Sequence, residues 1–285
     1  MKLGISSYSL YQAFTAGEMT VPDMIDFAAS IGAEHIEIVP LGFNLSQDKQ
    51  LLADIKSRAQ QCRVELSNYA IGANFADLDQ QALEHEIERV KKEVDIAAEL
   101  GIKRMRHDVA SSADRSISNF LKQLPQLTYA CQQIADYAQS YGITTSVENH
   151  GYFVQHSDRV QSLVEQVNRE NFRTTLDIGN FLCVDEAVHS GVSNNLSFAS
   201  IVHFKDFYYR QASYLGGEGW FQTSHGNWLR GAIVGHGDID IVNVISYMKR
   251  AGYDGHVTIE FEGMEPCKQG TKLGFDYVRK LWHSL

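Results

Sequence analysis

The sequence has no excess of positive charge: 25 Lys and Arg face 35 Asp and Glu, for a formal net charge of −10. Polyanions are held by clustered Lys and Arg, so nucleic acid is not expected as the main partner. No stretch approaches the roughly 20 consecutive apolar residues of a membrane span, and no membrane association is expected. The opening MKLGISSYSLYQAF carries one Lys and then small and polar residues that break any apolar run, which makes a poor secretory signal. The four cysteines, Cys62, Cys131, Cys183 and Cys267, are far apart and form no CxxC pair. That spacing argues against a zinc knuckle or a disulfide framework and for free thiols in a reducing compartment. A cytoplasmic protein is the expectation. Linkers and low-complexity tracts are also missing, so residues 1–285 are expected to form a single domain.

What the sequence does contain is an alternation. Short β-branched and apolar runs occur at 3–7, 35–39, 64–69, 102–106, 144–148, 174–177, 201–205 and 257–261. Between them the apolar residues follow the helical period. Across 79–100, Leu83, Ile87, Val90, Val94 and Ala97 or Ala98 share one stripe, with Glu88 and Lys92 four apart on the wet side. Thr20 is placed to cap a helix with Pro22 in its first turn, while Gly32, Gly101, Gly142 and Gly252 precede strands as helix terminators. Strand and helix alternating through short links predict a parallel sheet covered by helices. Eight such units in this length fit an α/β fold of the (β/α)8 TIM barrel type better than a doubly wound sheet, and no GxGxxG follows the first strand. The exception is 207–237, FYYRQASYLGGEGWFQTSHGNWLRGAIVGHG, which is too long for an ordinary link. It is expected to be a long loop insertion serving as a lid or binding element.

Active sites of such barrels lie at the carboxyl ends of the strands. Those ends carry Glu148 in TTSVENHG, Asp177 in TTLDIGN, His203 in IVHFKD and Glu260 in VTIEFEG. A lone carboxylate at a strand end commonly caps a helix or pairs with Arg. Four polar groups on successive strand ends, about one βα unit apart, would repel one another unless a cation held them. The O,O,N,O set suits one divalent metal ion, Mn²⁺, Mg²⁺ or Co²⁺, with Zn²⁺ also admissible.

With these residues in place the chain resembles the xylose isomerase-like TIM barrels, sugar isomerases and epimerases related to endonuclease IV. The resemblance runs over essentially the whole length and is carried by VENHG (147–151), LDIGN (176–180), HFKD (203–206), VGHGDID (234–240), AGYDG (251–255) and TIEFEG (258–263). It implies that Glu148, Asp177, His203 and Glu260 bind one metal and that Glu148 and Glu260 form the catalytic acid–base pair. It implies a sugar or sugar derivative as small-molecule partner, and relatives that commonly form homo-oligomers. Two departures matter. The ketose 3-epimerases of the family place a His three residues after the Asp ligand, where this chain has Asn180. Endonuclease IV needs further His and Asp ligands for three zinc ions, and neither Asn180 nor the strand-three end SNY (67–69) supplies them.

A metal beside two carboxylate bases suits proton abstraction α to a carbonyl, through an enediolate. Returning the proton to the opposite face is epimerisation, and to the neighbouring carbon isomerisation. Expelling a β-hydroxyl instead would make the enzyme a dehydratase of a keto-sugar or inosose. Candidate substrate contacts are Asn180, Lys205, His150, Tyr8, Glu37 and His236, together with His107, preferred over Arg106 because Met105 shares its parity. Plainer alternatives stand beside them: a salt bridge of Lys205 with Asp206 or another acid, an Arg or backbone partner for Glu37, an exposed loop position for His236. Gly235 and Gly237 leave a phosphate contact open, and Trp220 and Trp228 are aromatics that could stack on a sugar face.

Overall fold

In the computed structural model, which describes residues 1–285, eight strands close into a barrel in the order β1-β11-β7-β6-β5-β4-β3-β2. They are β1 (Lys2–Ser6), β2 (His35–Ile38), β3 (Glu65–Ile71), β4 (Arg104–His107), β5 (Thr144–Glu148), β6 (Phe172–Asp177), β7 (Ala199–Phe204) and β11 (His256–Ile259). All eight adjacent pairs are parallel. Each matches one of the runs read from the sequence to within two residues at its ends, and β5 matches at both ends.

The helices between them start and stop for local reasons. Thr20 accepts from the Asp23 amide while Asp23 accepts from the Thr20 amide, a capping box on the helix Val21–Ser30. Helix Gln80–Leu100 buries Leu83, Ile87, Val90, Val94 and Ala97 against the barrel and ends on Gly101, whose φ of 80° is a left-handed conformation that glycine adopts freely.

The stretch expected to be a loop is folded. Its strands β8 (Asp206–Arg210), β9 (Phe221–Gln222) and β10 (Trp228–Ala232) form an antiparallel sheet in the order β8-β10-β9. FYYR and WLRGA pair along their whole length, from Trp228 opposite Arg210 to Ala232 opposite Asp206. Phe207 and Leu229 bury one face of this sheet against Cys183.

The barrel wall sorts its residues by face. Ile5, Ile36, Met105, Val147, Leu176, Val202 and Ile259 are fully buried in the main core, under the helices. The alternate positions hold polar side chains. Ser6, Glu37 and Asn68 lie side by side in register, as do Gly4, Thr258, His203 and Asp177. At the amino-terminal end of the barrel the Glu65 carboxylate lies 2.7 Å from Lys2 Nζ, 3.0 Å from His256 Nε2 and 3.9 Å from Arg104 Nη1. A buried charge left alone costs several kcal/mol, and at this end the half-exposed Glu65 is matched by its cationic neighbours.

Candidate metal centre

At the opposite, carboxyl-terminal end of the barrel, Glu148 closes β5, Asp177 closes β6, His203 lies near the end of β7 and Glu260 follows β11. One ligand atom from each lies within 4.8 Å of the others, and all four residues are buried. The strand register accounts for much of this, because Asp177 pairs with His203 and His203 with Thr258, two residues before Glu260.

Each of the four is oriented by a neighbour. His203 Nε2–H donates to Glu37 Oε2 at 2.9 Å, which leaves Nδ1 facing Glu260 Oε2 at 3.9 Å and Glu148 Oε1 at 4.0 Å. Burial disfavours the imidazolium, but Glu37, Glu260 and Glu148 outweigh it and raise the His203 pKa to about 10. Glu37 is itself fully enclosed. It accepts from Ser6 Oγ at 2.8 Å and Asn68 Nδ2 at 2.7 Å, and His203 and Asn68 overcome the effect of burial to hold its pKa down at about 2.

Asp177 Oδ1 accepts from the amides of Gly179 at 2.7 Å and Asn180 at 2.9 Å, while burial pushes this carboxyl up against the pull of Lys205. The Asn149 side chain clasps the Asp177 peptide on both sides: its Nδ2 donates to Asp177 O at 2.8 Å and its Oδ1 accepts from Asp177 N at 2.9 Å. Asn180 Nδ2 donates to Glu148 Oε1 at 3.1 Å. Lys205 Nζ is 2.7 Å from Glu260 Oε2, 3.3 Å from Asp177 Oδ2 and 3.4 Å from Glu262 Oε1. Burial opposes its charge, yet these carboxylates hold it as an ammonium, with a pKa well above the ordinary lysine value. The salt bridges of Lys205 are therefore with acids other than Asp206. Asp206 turns away and accepts from backbone amides of Phe207, Gly235, Gly237 and Ile239.

The cluster can hold a divalent cation. Asp177 Oδ2 and His203 Nδ1 are buried without a hydrogen-bond partner and belong to residues whose ligand atoms converge. Six carboxylates, those of Glu37, Asp108, Glu148, Asp177, Glu260 and Glu262, face three cationic groups, Arg106, Lys205 and the His203 imidazolium. A divalent ion offsets most of the remaining negative charge, and carboxylate oxygens with one imidazole form a donor set for ions of this class.

Of the expected substrate contacts, Asn180, Lys205 and Glu37 lie within the cluster. Tyr8 adjoins it: the phenol is pushed up by burial and by Glu262, and the ring lines a cavity of about 170 Å³ shared with Glu262 and Phe261. His150 lies at the rim, its side chain 51% exposed and Nδ1 3.3 Å from Asp108 Oδ1, beside a cavity of about 140 Å³ that reaches Glu148. His107 is a correction. Its ring faces the helix layer, against Phe75 at 5.8 Å and Phe172 at 6.2 Å between centroids, and Nδ1 bonds to Asp108 O at 3.0 Å. Burial lowers its pKa to about 4. Arg106 points inward in its place, with Nε 2.8 Å from Glu148 Oε2 and Nη1 3.2 Å from Asp108 Oδ1.

His236 is exposed on its loop and makes no side-chain contact with the cluster. Trp220 and Trp228 belong to the added sheet: Trp220 lies near the Arg210 and Arg230 guanidinium groups, and Trp228 pairs across from Arg210. The sequence reasoning missed Arg106, Glu262 and Asn149. A surface cavity of about 500 Å³ beside Asn74 and His85 contains none of the four ligands.

The family described as xylose isomerase-like TIM barrel matches residues 25–281. No curated protein matches the sequence. Solved structures share the fold over nearly the full length. A D-psicose 3-epimerase with D-tagatose from Clostridium cellulolyticum H10 has a TM-score of 0.77 at 14% identity, covering 99% of each chain. The probable 3-DHS dehydratase AsbF of Bacillus anthracis has a TM-score of 0.76 at 16% identity, covering 98% of this chain and 99% of its own. The IOLI protein, with a bound zinc atom, has a TM-score of 0.76 at 18% identity, covering 99% of this chain and 96% of its own. At identities this low, the likeness is one of fold.

Proposed function

The chain belongs to the xylose isomerase-like TIM barrel family, and from that premise we propose a divalent-metal-dependent isomerase or epimerase acting on a keto-sugar or related polyol. The observation that carries the reading is the convergence of Glu148, Asp177, His203 and Glu260 within 4.8 Å at four strand ends. Two of the structural relatives are described as an epimerase and a dehydratase, which supports the reaction class.

In this reading those four residues hold the ion, Mn²⁺, Mg²⁺ or Co²⁺, with Zn²⁺ also fitting the donor set. Bound there, the ion supplies Lewis acidity for charge developing on the substrate's carbonyl oxygen. The chain's own groups do the rest. Glu148 and Glu260 flank His203 Nδ1 at 4.0 Å and 3.9 Å, a placement that serves a substrate with one carboxylate on each side. One takes the α proton to leave an enediolate, and the other returns a proton. Lys205 and Asn180 donate hydrogen bonds to substrate oxygens. Glu37 acts through His203 and does not touch substrate. Loss of a β-hydroxyl from the same enediolate would give the dehydratase outcome.

Proton NMR in heavy water tests this, with metal-loaded protein and a panel of ketoses, 3-keto sugars and inososes. Deuterium should enter the α carbon with wild type and not with Glu148→Gln or Glu260→Gln, and the product identifies isomerisation, epimerisation or dehydration. Absence of exchange across the panel, with one ion bound, would overturn the proposal.

A further inference from the structure

We propose that the outer face of the helix Ile117–Gln139 docks a second copy of this chain, the two helices lying antiparallel about a two-fold axis beside Pro125.

The wet face of a helix normally carries charge. From Ile117 to Gln133 the only charged residue is Lys122, although 21% of the chain is charged. The outward positions are apolar instead. Leu121 is 59% exposed and Ile117 55%, more than any other large apolar side chain within a helix, and Tyr129 is 39% exposed. Pro125 is exposed between them. Ile117, Leu121, Pro125 and Tyr129 follow one another at i,i+4 spacing and so form one stripe along the helix. Single exposed apolar residues are ordinary, whereas a continuous stripe marks a contact.

Charge selects the occupant. Two copies at −10 each repel over most of their surfaces, but this face lacks that excess. Lys122 is exposed and makes no salt bridge within its own subunit. Glu84, on the adjoining helix Gln80–Leu100, accepts only from neutral groups, Gln80 Nε2 at 2.8 Å and Tyr129 Oη at 3.0 Å. One face thus holds an unpaired cation and an unpaired anion, and a two-fold copy supplies the partner of both.

The register follows from helix geometry. Lys122 precedes Tyr129 by two turns and projects on the same side, toward Glu84. In an antiparallel pair centred on Pro125, Leu121 lies level with Tyr129 of the partner subunit. Lys122 falls one residue, about 1.5 Å, from that level. A two-fold axis across the helices keeps the helix Gln80–Leu100 on the same side in both copies. Each Lys122 then faces Glu84 of the partner subunit, and the apolar stripes close on each other beside the two ion pairs. One helix face per subunit is at the small end of specific interfaces, so a dissociation constant on the order of 10 µM is expected.

Sedimentation velocity on the purified chain, at concentrations spanning that value, tests the inference. Wild type should pass from monomer to dimer, and Leu121→Glu should stay monomeric throughout. Lys122→Glu and Glu84→Lys should each weaken the dimer about 10-fold by opposing like charges. The double variant, Lys122→Glu with Glu84→Lys, should return to within about threefold of wild type. Circular dichroism checks folding, and the charge-exchange variants alter surface groups, so they stand as the test should Leu121→Glu fail to fold. A wild type that stays monomeric well above that concentration would overturn the inference, as would a dimer that survives Leu121→Glu. A double variant no tighter than either single one would overturn the antiparallel register.

Discussion

Glu37 touches none of the space where a substrate would sit, yet its replacement should be felt at the metal. Its carboxylate accepts three hydrogen bonds, from Ser6 Oγ at 2.8 Å, Asn68 Nδ2 at 2.7 Å and His203 Nε2 at 2.9 Å. The last one engages Nε2, so Nδ1 is the nitrogen left for an ion among Glu148, Asp177 and Glu260. In Glu37→Gln the amide oxygen can take the place of Oε2 and still accept from Asn68 and His203. The amide nitrogen then faces Ser6, whose hydroxyl can rotate to accept. Geometry survives and only the charge is lost. Outer partners of metal-bound histidines are worth about 10–100-fold in affinity, or roughly 1.4–2.7 kcal/mol. Glu37→Gln should therefore weaken metal binding about 10-fold, and Glu37→Leu, which removes the acceptor as well, about 100-fold. Chelator competition on the purified variants measures this directly, with circular dichroism as the control for folding. A folded Glu37→Leu variant within threefold of wild type would refute the idea that Glu37 orients His203.

Other outcomes follow from the same contacts. Burial lowers the pKa of His35 to about 3 and of His107 to about 4, so the unfolded chain, with histidine near 6.5, binds more protons between those values. Stability should be fully present above about pH 6.5 and fall as pH drops, by up to ~1.4 kcal/mol per pH unit for each histidine. Urea midpoints at pH 7 and pH 5 measure it, and His107→Asn should flatten the slope without affecting metal binding. Arg106→Met should destabilise the fold by about 3–5 kcal/mol, because Glu148 and Asp108 lose their buried partner; a shift below 1 kcal/mol in urea unfolding would contradict the pairing. Stripping the metal should lower the melting temperature, since an ion at 100 times its Kd contributes about 2.7 kcal/mol. An unchanged calorimetric transition after chelation and dialysis would mean that the cluster holds no ion.

The barrel and its four convergent ligands were legible in the sequence because period two and strand-end position are both local. Glu148, Asp177, His203 and Glu260 each stand out as a polar residue at the end of an apolar run. The same rule misled at β4. Reading Met105 as the mark of the inward face carries His107 inward with it. In this barrel the interior is polar, so an apolar residue marks the helix-covered side, and the ionic Arg106 belongs inside. Glu262 lies beyond its strand, where alternation no longer applies. Asn149 is invisible for a different reason, since its partner is a peptide group of the next strand and not a side chain. The sheet at 206–232 is not legible because β8 pairs with β10, across residues 211–227, and not with the next strand β9, so only three-dimensional packing sets the pairing.

The clasp of Asn149 on the Asp177 peptide bears on ion choice. It bonds the strand that carries Glu148 to the strand that carries Asp177 at the very point where both side chains depart. The two Cα positions therefore cannot drift apart or close in independently. The backbone thus sets the base from which both carboxylates reach, so an ion held here would meet a span that only the side-chain torsions of Glu148 and Asp177 could adjust.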